Sequence, residues 1–159
     1  MANPRNDSDA LAEKISDLAS EAGRSIATAE SLTGGQISCL LGAAPGSSDW
    51  FRGAIVAYAS AVKHDLLEVP AGPVVSEAAA RSMAAKTAEL LGADTVIAVT
   101  GAAGPDGQDG QEPGTVWFGI FDRGSVRAFQ KKFEGEPTEV VETTAHHALE
   151  LLTDCLGGE

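Results

Sequence analysis

The chain has 159 residues and a mass of 16.2 kDa, which suits one domain. Hydrophobic residues make up 43%, enough for a packed core and too many for general disorder. With 11 basic and 23 acidic side chains the formal net charge is −12, which disfavours binding to nucleic acid or anionic membranes and leaves any anionic substrate dependent on local donors.

The first seven residues are polar and are expected to fray. Leu11, Ile15, Leu18, Ala19 and Ala22 then recur at helical spacing, with Gly23 as the stop. Ser25–Ala29 reads as a short strand. Gln36–Leu41 reads as a short helix ending at Gly42, and Pro45–Asp49 as a loop. Phe51–Tyr58 reads as a strand and Ser60–Glu68 as a helix broken by Pro70 and Pro73. Ser76 is placed to cap an Ala-rich helix that ends near Gly92. Thr95–Thr100 is an apolar run of the kind buried on both faces of a sheet. Gly101–Gly114 is a Gly/Asp/Pro-rich loop. Thr115–Phe121 and Val126–Phe133 read as a hairpin turning at Asp122–Ser125. The last helix spans Thr138–Leu156, with Val141, Ala145, Ala148, Leu152 and Cys155 on its apolar face. The alternation predicts an α/β domain with a mixed sheet covered by helices on both faces.

Cys39 and Cys155 lack the paired spacing of a zinc site and are expected to be small buried residues. The N-terminal MANPRNDSDA has no apolar signal-peptide core. The longest mostly apolar stretch, around Gly53–Tyr58, is far below the roughly 18 residues of a membrane span. A cytoplasmic protein without a membrane partner is expected.

Three segments carry candidate chemistry. Thr28-Ala29-Glu30-Ser31-Leu32-Thr33-Gly34-Gly35 joins a strand to a helix. A serine there sits near unpaired N–H groups, so the segment offers a nucleophile with an oxyanion hole, or equally a helix cap with a tight turn. Glu30 precedes Ser31 on an extended segment and is expected to face away from it. Tyr58-Ala59-Ser60-Ala61-Val62-Lys63 places a lysine just after a strand. Lys63 is either a general base, if burial brings its pKa down, or a solvated surface lysine. Ser60 and Lys63 also form an S-x-x-K pattern, but its usual S-D-N and K-T-G companions are absent. Thr100-Gly101-Ala102-Ala103-Gly104-Pro105-Asp106-Gly107 is neither a dinucleotide fingerprint nor a P-loop, and Asp106, Asp109 and Glu112 lack calcium-loop spacing. It is a ligand-binding loop beyond a strand end or a plain connector. His146 and His147 point about 100° apart on a helix, and one or both are expected to be exposed. With His64 likewise lacking an acidic partner, no metal site is expected.

These segments, in order, resemble the CinA C-terminal domain family of competence/damage-inducible proteins, which includes nicotinamide mononucleotide deamidases. The resemblance rests on TAESLTGG, VAYASAVKHDLLEV, and VTGAAGPDG followed by GTVWFGI, and spans Leu11 to Leu156. It implies a three-layer α/β/α fold around a mixed sheet of about five strands. It implies hydrolysis of nicotinamide mononucleotide to nicotinic acid mononucleotide and ammonia, without cofactor or metal. Its serine, tyrosine and lysine fall on Ser31, Tyr58 and Lys63. Its motif glycines fall on Gly34, Gly35, Gly101 and Gly104. In the mechanism so implied, Ser31 attacks, Lys63 moves the proton, Tyr58 orients Lys63, and N–H groups near Thr33 and Gly34 hold the oxyanion.

The sequence departs from the family pattern at Ser60, at Glu112-Pro113-Gly114, at Gly135-Glu136-Pro137 and at Glu142. The last three remove positive charge from regions that could contact a phosphate. Arg52, Arg81 and Arg127 are the remaining phosphate-anchor candidates, with Arg52 placed in the binding set. The alternatives are a serine amidase for another amide and a non-catalytic nucleotide-binding regulatory protein. The short chain leaves no room for the metal-dependent pyrophosphatase domain that many family members carry. A homo-oligomer is expected, with Ser76–Leu91 as a candidate packing face.

Overall fold

The computed structural model describes residues 4–157. Strands β1 (Ile26–Glu30), β2 (Phe51–Val56), β3 (Thr95–Gly101), β4 (Thr115–Asp122) and β5 (Ser125–Lys132) form one sheet in the order β2-β1-β3-β4-β5. β1 pairs in parallel with β2 and β3. β3–β4 and β4–β5 are antiparallel. The helices are α1 (Pro4–Ala22), α2 (Gln36–Gly42), α3 (Ser60–Asp65), α4 (Glu77–Leu91) and α5 (Pro137–Gly157). This is the expected mixed five-stranded α/β sheet.

Side-chain alternation divides the core. Ile26, Ile97, Val99, Val116, Phe118 and Ile120 point to one face, where α1, α2 and α5 cover them. Ala27, Ala29, Val96 and Ala98 point to the other, beneath α4. That second face is made of small residues, so an alanine-rich helix can approach the sheet backbone closely. The alanines of Ser76–Leu91 are therefore used inside the domain: Ala79, Ala80, Ala84 and Ala88 are buried against the sheet. Ser76 caps α4 by accepting from the Ala79 N–H at 3.1 Å.

Gly119 on β4 sits at the closest approach. A Cβ added there would overlap the Ala80 carbonyl oxygen of α4. Gly119→Val is expected to destabilise the domain by about 3 kcal/mol, a fall of roughly 6–12 °C in Tm. Thermal unfolding by circular dichroism checks this.

Several boundaries differ from the sequence reading. α1 starts at Pro4, so residues 4–7 are helical, while residues 1–3 of the expected frayed segment lie outside the described residues. The apolar periodicity begins only at Leu11, but Ser8 is also buried, with its Oγ 2.9 Å from His146 Nδ1. A polar contact between helices leaves no periodic mark. α3 is shorter than expected. In α5, Val140 rather than Val141 is buried. His146 and His147 are half-buried, not exposed. The His147 ring packs edge-on against Phe118 at 5.0 Å and Phe133 at 5.9 Å. Cys155 is buried, but Cys39 is exposed. No described helix is long and apolar enough to cross a membrane.

Candidate active site

The C-terminal ends of the three parallel strands lie side by side, with Glu30 opposite Val56 and Ala29 opposite Ala98. Ser31 follows β1, Tyr58 follows β2, and Thr100 and Gly101 close β3. All of these residues and Lys63 line one cavity of about 240 Å³. Ala102, Ala103 and Gly104 of the glycine loop complete that wall. Gly101 is required by space, since a Cβ there would lie 2.8 Å from the Thr115 carbonyl oxygen. Open α/β sheets place ligands outside the strand ends in this way.

Lys63 is 3% exposed. Its Nζ donates to the Tyr58 carbonyl oxygen at 3.0 Å. Burial pushes its pKa below the ordinary lysine value, and Asp109 partly opposes this through its negative charge. Of the two sequence readings of Lys63, the solvated surface lysine is excluded. Tyr58 contacts it through its backbone carbonyl; the residue itself is 70% exposed and lines the cavity. Ser60 is exposed and does not line the cavity, so the S-x-x-K pairing does not form.

Ser31 is 5% exposed, and its hydroxyl has no hydrogen-bond partner among the described residues. No direct hydrogen bond joins it to Lys63. The two face the same space, leaving room for a reacting group between them.

Glu30 is the residue that sequence reasoning passed over. It faces away from Ser31, as expected, and is fully buried. Its carboxylate accepts five hydrogen bonds. Two come from the hydroxyls of Thr28 at 3.3 Å and Thr33 at 2.7 Å. Three come from the N–H groups of Gly35 at 3.2 Å, Ile37 at 3.0 Å and Ser38 at 2.8 Å. A buried carboxylate needs such a complement, and here the start of α2 supplies most of it. The Glu30 carbonyl also accepts from the Ala57 N–H at 2.8 Å, tying the end of β1 to the residue before Tyr58. A Glu at a strand end, shortly before a Gly-Gly pair and a short helix, was the available signal.

This arrangement corrects the expected oxyanion donors. The Gly34 N–H is taken by the Ser31 carbonyl at 3.0 Å, and that of Gly35 by Glu30. Gly34 and Gly35 line a different cavity, of about 620 Å³, with Gln36, Cys39 and Glu142. Thr33 is buried and donates its hydroxyl to Glu30, so its side chain is not a substrate contact. Its backbone N–H has no partner among the described residues.

The arginine candidates also lie elsewhere. Arg52 is near the N-terminal end of β2, at the opposite end of the sheet, and its Nε donates to the Leu91 carbonyl at 2.8 Å. Arg81 pairs with Glu77 and with the Val126 carbonyl. Arg127 lies on β5, and neither it nor Arg81 lines the cavity. Arg52→Ala is therefore expected to leave both kcat and KM within about twofold of wild type, and steady-state kinetics check it. Among the described residues no group of three or more His, Cys, Asp or Glu is placed to share a metal ion.

Fold and cavity together define a three-layer α/β/α domain with a serine and a buried lysine facing one space beyond its parallel strand ends. The sequence model of the CinA C-terminal domain matches residues 8–156, and the chain belongs to that family. A CinA-like protein of Citrifermentans bemidjiense is 37% identical over 152 residues, covering 92% of this chain and 37% of the relative. A putative competence-damage inducible protein of Lactiplantibacillus plantarum is 41% identical over 138 residues, covering 83% of this chain and 33% of that protein. The chain thus spans about a third of the length of these relatives. Among solved structures, the competence or damage-inducible protein of Enterobacter asburiae superposes with a TM-score of 0.90 at 32% identity, covering 94% of this chain and 98% of that one.

Proposed function

We propose that the protein is an amidohydrolase that converts nicotinamide mononucleotide to nicotinic acid mononucleotide and ammonia. The observation that carries this reading is the shared cavity of Ser31 and a buried Lys63 whose pKa is lowered. A lysine can act as a base only when neutral, and burial favours the neutral amine.

In this reading Ser31 Oγ attacks the carboxamide carbon while Lys63 Nζ takes the hydroxyl proton. The tetrahedral oxyanion is held by backbone N–H groups of the turn after β1; of the expected Thr33 and Gly34 donors, Gly34 is engaged by the Ser31 carbonyl and Thr33 is left. Lys63 then protonates the departing nitrogen, the C–N bond breaks, and ammonia leaves a nicotinoyl ester on Ser31. Water attacks the ester, Lys63 accepts its proton, and the serine oxygen takes that proton back as the acid is released. The Tyr58 carbonyl fixes the Lys63 amine throughout. Activity is expected to rise with pH as Lys63 loses its proton, with the rising limb displaced below the ordinary lysine range.

One observation favours a second reading, in which the amide substrate carries no phosphate. Lys63 is the sole cationic side chain lining the cavity among the described residues, and Arg52, Arg81 and Arg127 lie outside it. Ammonia release from nicotinamide mononucleotide, its dephosphorylated nucleoside and nicotinamide, each with chelator present, tests both. A kcat/KM highest for the mononucleotide supports the leading reading. A preference for the nucleoside supports the second, and release from none of the three overturns both.

A further inference from the structure

The wall of the cavity beside Lys63 is built from residues distant in sequence. Val74 and Val75 line it, in the segment between α3 and α4. Neither belongs to a helix or strand, so that segment needs tethers to hold its place. One comes from β3, where the Thr100 hydroxyl donates to the Val74 carbonyl at 2.6 Å. The other comes from the glycine loop. A single oxygen of Asp109, Oδ2, accepts from the Val74 N–H at 2.8 Å and the Val75 N–H at 3.0 Å. Asp109 holds a left-handed backbone conformation, with φ of 54°, to do so.

We infer that Asp109 is a positioning residue for the Lys63 site: its carboxylate clamps the Val74–Val75 wall of the cavity that Lys63 lines, and its negative charge bears on the amine. This rests on the reading of Lys63 as the base of the site. Two N–H donors hold the Asp109 carboxylate in one place. A fixed negative charge there favours the protonated lysine, whereas burial favours the neutral one. The two influences oppose each other, so loss of the Asp109 charge leaves the effect of burial unopposed.

The other groups around Lys63 leave this role to Asp109. Asp106 lines the same cavity but makes no tether to the wall. Tyr58 presents its carbonyl. Glu30 is engaged by the start of α2. On α3, His64 is held by the Val69 carbonyl at 2.9 Å, and Asp65 is exposed. Glu68 pairs with Lys86.

The test compares wild type with Asp109→Asn and Asp109→Ala. An asparagine carbonyl can still accept from both valine N–H groups, so the first variant removes charge and keeps the clamp. The second removes both. Lys63 is followed directly by NMR of ¹³C-labelled lysine against pH, with Lys63→Met assigning the signal. Its midpoint is expected to move to lower pH in both variants. On the acid side of the pH–rate profile Asp109→Asn is expected to be about threefold faster than wild type, with KM unchanged. Asp109→Ala is expected to raise KM as well, because its wall is loosened. A Lys63 midpoint that coincides in wild type and either folded variant would overturn the proposal. A moved midpoint in a protein that hydrolyses no carboxamide would uphold the role of Asp109 and reject the amidase reading.

Discussion

Ser31→Ala is expected to lower kcat by about 10³-fold or more while leaving the fold intact. The hydroxyl makes no hydrogen bond among the described residues, so its loss breaks no internal contact. The Ser31 carbonyl, which holds the Gly34 N–H at 3.0 Å, is unchanged by the substitution. The change therefore removes the nucleophile and little else. KM should change little, because Ser31 contributes bond formation rather than ground-state binding. Steady-state kinetics and a thermal unfolding curve check the two halves together. A variant that loses activity and also melts early would mean that Ser31 supports the turn instead.

Glu30→Ala is expected to act on the same turn from behind. It strips five hydrogen bonds from a fully buried site. It leaves the Ile37 N–H and the Thr33 hydroxyl without their acceptor, along with the less buried Gly35 and Ser38 N–H groups. Unsatisfied buried donors cost about 1–3 kcal/mol each, with partial relief where water can enter. The expected loss is about 4 kcal/mol, or roughly 8–16 °C in Tm. Glu30→Gln should recover little. Its amide nitrogen would oppose backbone N–H groups that can only donate, with at most a threonine hydroxyl turning to accept from it, and one oxygen would remain as acceptor. Activity at a temperature where the variant stays folded should also fall, because the loosened turn carries Ser31. Wild-type stability in Glu30→Gln would show that the carboxylate does not hold this turn.

That Ser31 and Lys63 sit just beyond β1 and β2 was legible from the strand pattern, and the parallel pairing of those strands brings both to one cavity. The mixed sheet was legible for a similar reason. Thr95–Thr100 reads as a buried strand, and Asp122–Ser125 as the turn of an antiparallel pair. Glu30 was not legible as an organiser. Facing away from Ser31 was reason to set it aside, yet the side it faces is where α2 begins. How Tyr58 meets Lys63 was not legible, because residue identity says nothing about the use of a carbonyl. Arg52 was misplaced because a charge near a strand does not reveal which end of the sheet it occupies; parallel pairing with β1 does. Asp109 meets Val74 across 35 positions, and no local pattern records such a contact.

The most direct test of the central claim is ammonia release from nicotinamide mononucleotide by the purified protein, with chelator present and Ser31→Ala measured beside it. The account predicts steady release by wild type, matched by nicotinic acid mononucleotide, and none above background from the variant. Equal release by both proteins, or none from folded wild type, would contradict it.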